Sequence, residues 1–456
     1  MSASPRGWCA VLAVSLLAVA CSPKRVREND QPPGMISFPR TAEDTAKAPP
    51  RPAADMPSEE APLVRPEGSR DVRIALATAA QGAVLSGTGA FRLFDARDAE
   101  LVRARGPDAW SVERNGRRLR AVRQGTATSW SDGVITLRTD REDEFGLFAG
   151  QRFRGAIRVI ASDTGIVVVN VLPVEWYLRG VVPLEIGVRA ANEDAAVEAQ
   201  AIAARSYTVV RLAAVTGSAS RNTNYDMLSS VADQVYGGVD AERPFSNQAV
   251  ARTVGLVIKY NGRVVNAPYH STCGGETAEP DEVWRSGNEP FLKRVSDRIP
   301  GTGDRYYCDI SPRFSWTRTF SGEQLDAAVR AYLGSYTTVP SSGAGRVRSA
   351  TINSRTASGR VARLIIAAAN GNFALRGNDI RYVLRLPGGE ILNSTYFSLQ
   401  SETGRDGDLD RLVVKGNGYG HGIGMCQWGA IGRARAGQSA RFILATYYPG
   451  TTVGLM

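Results

Sequence analysis

Between Asp71 and Gln151 the apolar positions come in short runs broken by Gly and Asp: "DVRIALA", "GAFRLFD" and "VITLRTD". Apolar and polar residues alternate there with a period near two, the pattern of strands with one buried face. The runs predict a small β-rich domain over 71–151. Two further runs, "GAIRVIAS" and "GIVVVNVLPV", read as the opening of a second domain, 152–456. The period then lengthens. "NEDAAVEAQAIAARSYTVVRLAAV" is a long helix with Asn192 as N-cap and with Glu193 and Asp194 at the positive end of its dipole. Its Ala-rich interior favours helix and close neighbours, so it is expected to be buried. More strands follow at "GLVIKYNGRVVNAPYH". About 314–410 mixes a helical "SGEQLDAAVRAYL" with strand-like "RLIIAAANG" and "YVLRLPG", and reads as an inserted subdomain. The chain closes with "LVVKGNGYGHGIG" and a second helical stretch from "CQWGAIGRARAG" to "RFILATYYPGT". The expected class is α+β.

The first seventy residues follow neither period. Residues 1–20 carry one early cation, Arg6, and an apolar run too short to span a bilayer, the signature of a secretory signal peptide. "LAVAC" is similar to a bacterial lipobox, with Cys21 as the lipidated residue. Residues 21–70 are rich in Pro, Ala and charge, and read as a disordered tether. The chain is thereby expected outside the cytoplasm, held to a membrane by lipid, the outer membrane if the envelope is Gram-negative. The net charge of +10 favours an acidic or polyanionic partner. No dense Lys/Arg run is interleaved with aromatics, which argues against nucleic acid.

The chain has only two histidines, His270 and His421, and both lie among glycines: "YHSTCGGETAEPDEVW" and "GNGYGHGIGMCQWGA". Small neighbours leave the backbone open to a ligand, so a shared groove is expected. Read as a strand, 416–424 would send its five glycines to one face and Asn417, Tyr419, His421 and Ile423 to the other. One carboxylate stands in unusual company. Glu185 is bracketed by Val181, Val182, Pro183, Leu184 and Ile186, and desolvation there would raise its pKa as a general acid requires. Once Cys9 and Cys21 are set aside, Cys273, Cys308 and Cys426 remain, an odd number for an oxidising compartment. They allow one disulfide with a free thiol, or a shared metal site.

Taken in order, "YLRGVVPLE", "EAQAIAARSY", "QVYGG", "AVARTVGLVIKYNGRVVNAPYHSTCGGETAEPDEVW", "PFLKRV", "NSTYFSL", "GYGHGIGMCQWGA" and "ILATYYPGT" resemble the SpoIID/LytB family, the stage II sporulation protein D type of peptidoglycan-acting domain. The resemblance covers roughly residues 159–450. It implies a lytic transglycosylase that cleaves the MurNAc–GlcNAc bond of glycan strands and needs no cofactor. The family's catalytic glutamate falls at Glu185. It would protonate the leaving oxygen at C1 and, as carboxylate, take the proton of the C6 hydroxyl that closes a 1,6-anhydro ring. No second carboxylate is needed, because no water is activated. The same resemblance puts His270, Ser271, Cys273, Tyr419, His421 and Gln427 on the glycan groove.

Departures from the family pattern carry their own expectations. Glu198 stands where a lysine is common, and Cys273 and Cys426 stand where serines are usual. The cysteines allow a Cys273–Cys308 disulfide, a structural zinc held by some of His270, Cys273, Cys308 and Cys426, or a thiol nucleophile pairing Cys273 with His421. Two rivals to the transglycosylase follow: a glycan-binding modulator of wall amidases, and a cysteine-dependent hydrolase of wall peptides.

Overall fold

The computed structural model describes residues 61–66, 70–217 and 224–456. The signal peptide, Cys21 and most of the tether lie outside them. The last part of the expected tether is anchored: Ala61 is buried, and the Arg179 guanidinium donates to the carbonyls of Ala61 and Pro62 at 2.6 and 2.5 Å.

The β-rich part does not end at residue 151. A seven-stranded sheet joins Asp71–Ala80, Ala90–Phe94, Glu100–Arg105 and Val134–Thr139 to Ala156–Ser162, Gly165–Pro173 and Met227–Leu228. Asp71 lies opposite Pro173 and Ile74 opposite Asn170 in antiparallel register. A six-stranded sheet accompanies it. The runs "GAIRVIAS" and "GIVVVNVLPV" therefore pair into the same sheet as the β-rich part. Pairing across about a hundred residues leaves no trace in local periodicity. One hydrophobic core runs on from these strands into the helices, from Val72 and Leu93 through Val181 and Ala203 to Tyr447.

Pro173 ends the last strand with φ −56°, a value already suited to a helix start, and helix α1 (Val174–Ile186) follows directly. Helix α2 (Asp194–Gly217) is central: it packs on α1, on Pro244–Arg252, on Leu256–Tyr260 and on both C-terminal helices, Gln427–Arg435 and Ala440–Tyr447. Ala196, Ala199, Ala201, Ala203 and Ala204 are fully buried, so the short side chains do set the approach of these neighbours. Asn192 is not the N-cap. It lies within a 3-10 turn, Ala191–Glu193, and the Glu193 carboxylate instead accepts the Ala190 N–H at 2.8 Å.

The inserted segment has its own core, built on Phe320, Leu325, Leu364, Phe373 and Leu412. Its helix Gly322–Tyr332 begins with a capping box between Ser321 and Gln324. "YVLRLPG" is not a strand: Asp379–Val383 is helical. Ile380, Val383 and Leu384 are all buried at helical spacing, and Ile380 falls outside the run that looked strand-like.

Helices α1 and α2 are locked by a buried ion pair. Arg205 Nε and Nη2 each donate to a Glu175 carboxylate oxygen at 2.8 Å. Arg205 also reaches the Leu256 carbonyl, and Gly255 N–H donates to Glu175. Arg205→Met would leave Glu175 buried and unpaired, and is expected to destabilise the fold by about 3–5 kcal/mol in chemical denaturation. Arg205→Met with Glu175→Leu should recover most of that loss. Equal losses in the single and double variants would refute the coupling.

Candidate functional site

Glu185 sits in the last turn of α1. The helix stops just beyond it at Gly187, whose φ of 75° is the left-handed value favoured by glycine and whose N–H closes on the Pro183 carbonyl at 3.1 Å. Glu185 as a residue is partly exposed, while its carboxylate end is set inward. Its Oε1 accepts the Val235 N–H at 2.9 Å. Burial raises its pKa to about 7, against the opposing hydrogen bonds from Val235 and Gln427. The negative end of the helix dipole acts in the same direction as burial. A carboxyl group half protonated near neutrality is matched to proton transfer in both directions.

The "QVYGG" segment holds the donor in place. Gln234 is buried: its Oε1 accepts from Tyr177 Oη (3.1 Å) and Thr208 Oγ1 (3.0 Å), and its Nε2 donates to Tyr269 Oη (2.9 Å). Tyr236 Oη donates to Asn170 at 2.7 Å. These bonds fix the backbone on either side of Val235, so its N–H points at Glu185 without a mobile side chain. Gln427 approaches from the C-terminal helix and donates to Gln200 Oε1 on α2 at 3.2 Å. Gln200, Gln234 and Val235 were not singled out from the sequence. A polar residue inside an Ala-rich helix, Gln200, was the available signal.

The two histidine motifs do meet. Tyr269–His270 pairs in parallel with Met425–Cys426, and Thr272 exchanges backbone hydrogen bonds with Tyr419. The imidazole rings are 5.4 Å apart. The glycine run is not a two-faced strand, however. Strand Leu409–Asn417 takes in only Gly416 of it, and Gly418, Gly420, Gly422 and Gly424 all take positive φ, between 69° and 111°. A Cβ on Gly418, Gly420 or Gly424 would collide with the 268–273 segment. The glycines thus admit the other histidine segment, which neither alternation nor composition reveals.

Both histidines are less available than the sequence implied. His270 is 4% exposed, and its Nδ1 faces the Ile423 carbonyl at 3.1 Å. A carbonyl only accepts, so Nδ1 carries the hydrogen. Burial lowers the pKa of His270, and burial together with His270 lowers that of His421 further. His421 Nε2 donates to the Tyr269 carbonyl at 2.8 Å while Nδ1 accepts from Ile423 N–H at 3.1 Å. Neutral His421 therefore has no free nitrogen lone pair to serve as a base. Cys273 is fully buried. The Cys273–His421 nucleophile lacks both an activating base and access.

Tyr419 is partly buried beneath Arg313, whose guanidinium lies 4.4 Å from the ring centre. Ser271 is also partly exposed, and its carbonyl accepts the Trp428 N–H. The indole of Trp428 carries Arg189 at 5.1 Å, which places a cation and a ring next to Gln427 and close in sequence to Glu185. Glu198 turns away and pairs with Arg252 at 2.7 Å. A cleft of about 540 Å³ opens elsewhere, against the seven-stranded sheet. Charges of both signs line it, among them Asp71, Arg138 and Arg158, and Glu185 is not one of its walls.

Cys273, Cys308 and Cys426 converge as unbonded thiols, all fully buried, with Cys273 Sγ 3.4 Å from Cys308 Sγ. Burial alone would raise the Cys273 thiol, but hydrogen bonds with Cys308, Cys426 and His270 hold it well below its ordinary value. Among the described residues, the fourth potential ligand of this cluster is Asp297, and His270 is not part of it.

Comparison with known proteins bears on the whole arrangement. The family described as stage II sporulation protein matches residues 162–260, and a domain of unknown function matches residues 303–424. The chain is 31% identical over 317 residues to an amidase enhancer of Bacillus subtilis (strain 168), covering 60% of this chain and 40% of that protein. It therefore spans well under half of that relative's length. It is 30% identical over 293 residues to the stage II sporulation protein D of the same organism, covering 62% of this chain and 74% of the relative. With the stage II sporulation protein D of Bacillus amyloliquefaciens the identity is 31% over 294 residues, with the same shares.

The raised pKa of Glu185 makes a stability prediction. Folding favours the protonated form, so this contribution is fully present below the unfolded value near 4.5 and is lost as pH rises through about 7. Glu185→Gln stays neutral throughout. It should leave the melting point unchanged at pH 4 and stabilise the protein at pH 8 by about 1–2 kcal/mol, a figure discounted for partial exposure. Equal effects at both pH values would show that the carboxylate is not desolvated.

Proposed function

Because the chain belongs to the stage II sporulation protein D family, we propose that it is a lytic transglycosylase of cell-wall glycan, with Glu185 as acid and then base. The observation that carries this reading is the Glu185 environment: partly exposed, with a pKa near 7, and held by a backbone N–H. An N–H donor on Oε1 favours the unprotonated oxygen there, so the acidic hydrogen resides on Oε2. That hydrogen goes to the glycosidic oxygen as the bond from C1 breaks. The carboxylate so formed takes the C6 hydroxyl hydrogen as that oxygen closes on C1. Val235 and Gln427 stabilise the charged intermediate form and thereby keep the pKa from rising further. Tyr419, Ser271 and the Arg189–Trp428 pair are the partly exposed groups available to hold sugar. Lipid on Cys21 would keep the enzyme against the wall from a membrane surface. Among the described residues, no helix is long and apolar enough to cross a membrane.

A second reading rests on the relative named amidase enhancer. In it the same groove holds glycan without cleaving it and presents the wall to an amidase.

Digestion of purified wall distinguishes the two readings. The wild-type chain should release anhydro-muropeptides, and Glu185→Gln should lower the rate by about 10²–10⁴-fold. The wild-type rate should fall as pH rises above about 7, where the acid form is lost. No anhydro products from the wild-type chain, with stem peptides released faster when a wall amidase is added, would overturn the enzyme in favour of the modulator. Equal anhydro yields from the wild type and Glu185→Gln would remove Glu185 from the chemistry.

A further inference from the structure

We infer that Cys273, Cys308, Cys426 and Asp297 form a structural zinc site that staples the wall of the Glu185 groove. The four ligand atoms lie within 4.8 Å of one another. Tetrahedral zinc with Zn–S bonds near 2.3 Å needs sulfurs about 3.7 Å apart. The Cys273–Cys308 sulfurs are 3.4 Å apart, and Cys273 Sγ is 3.8 Å from Asp297 Oδ2. These are tetrahedral edge lengths, reached from four separate places in the chain.

The surroundings are those of a ligand shell. Asp297 Oδ1 accepts from Tyr447 Oη at 2.7 Å and from the Arg433 guanidinium at 3.1 Å, which leaves Oδ2 on the thiol side. Cys426 Sγ accepts N–H bonds from Cys273 and Gly429, each at 3.2 Å, the kind of outer donors that orient a ligating sulfur. All four ligating residues are fully buried. Bound as thiolates and carboxylate, the four ligands would carry four negative charges, most of which a dication and the neighbouring Arg433 guanidinium would offset. Gly429 is fitted to the cluster, because a Cβ there would collide with Asp297 Oδ2 and Tyr447 Oη. Gly432 lies against the Tyr307 carbonyl in the same way, one residue before Cys308.

The site joins the end of the Tyr269–His270 strand, the approach to the inserted segment, and the N-terminus of the helix that carries Gln427. It therefore fixes Gln427 against Gln200 and Glu185. This assignment holds whether Glu185 cleaves glycan or only binds it.

The test uses the chain purified under reducing conditions without chelator. About one zinc per chain is expected by elemental analysis, with all three thiols protected from alkylation until the metal is removed. Cobalt(II) exchanged into the site should show thiolate charge transfer in the near ultraviolet and strong d–d bands in the red. Asp297→Asn retains the three thiols and should lose metal to a chelator at least about tenfold more readily. Glu185→Gln should keep its zinc even though its wall activity is lost, which separates this inference from the catalytic one. Three thiols that alkylate freely without bound metal would overturn the site. So would a mass about two daltons low with a single reactive thiol, which would identify a Cys273–Cys308 disulfide.

Discussion

The ion pair between Glu175 and Arg205 is the constraint on which the rest of the site depends. It sits in the first turn of α1 and midway along α2, both partners essentially without solvent, and it also gathers the Gly255–Leu256 backbone. A buried pair of this kind adds little net stability over an apolar replacement, but a mismatched arrangement is strongly penalised. Its effect is to select one register of α1 on α2. With that register set, the far end of α1 brings Glu185 to Val235 and to the Gln200–Gln427 contact. The charge buried at the start of α1 thus positions the charge tuned at its end.

The groove wall is built from backbone more than from side chains. Val235 supplies an N–H, and the two histidines tie together the segments around Tyr269 and Ile423 through carbonyls and N–H groups. Histidine suits that task because a neutral ring donates from one nitrogen and accepts at the other, as His421 does. Their rarity in the chain and their glycine neighbours look like the marks of catalysis. In this fold the same marks describe a close crossing of two irregular segments.

How much could be read in advance varies with the range of the interaction. Local signals were legible: the length of α2, its burial through alanine, the helix within "SGEQLDAAVRAYL", and the desolvation of Glu185. Long-range pairing was not. The Asp71–Pro173 register joins strands about a hundred residues apart, and Asp297 meets the cysteines from a stretch with no suggestive spacing. The glycine run shows why alternation misleads. Period two normally reports a pleated strand, yet here every second residue adopts a left-handed conformation, which a pleated strand does not contain. Composition signals both cases alike, and only the segment lying opposite distinguishes them.

The inserted segment enters and leaves through one antiparallel pair, with Ser315 directly opposite Asn417. Its two ends are therefore neighbours, and each doubling of the length between them adds only about 0.6 kcal/mol of closure entropy. Lengthening, trimming or resurfacing that excursion leaves the crossing at Gly418–Gly424 where it is. Evolution can thus vary what the outer surface meets, residue by residue, while the pocket around Glu185 keeps one geometry.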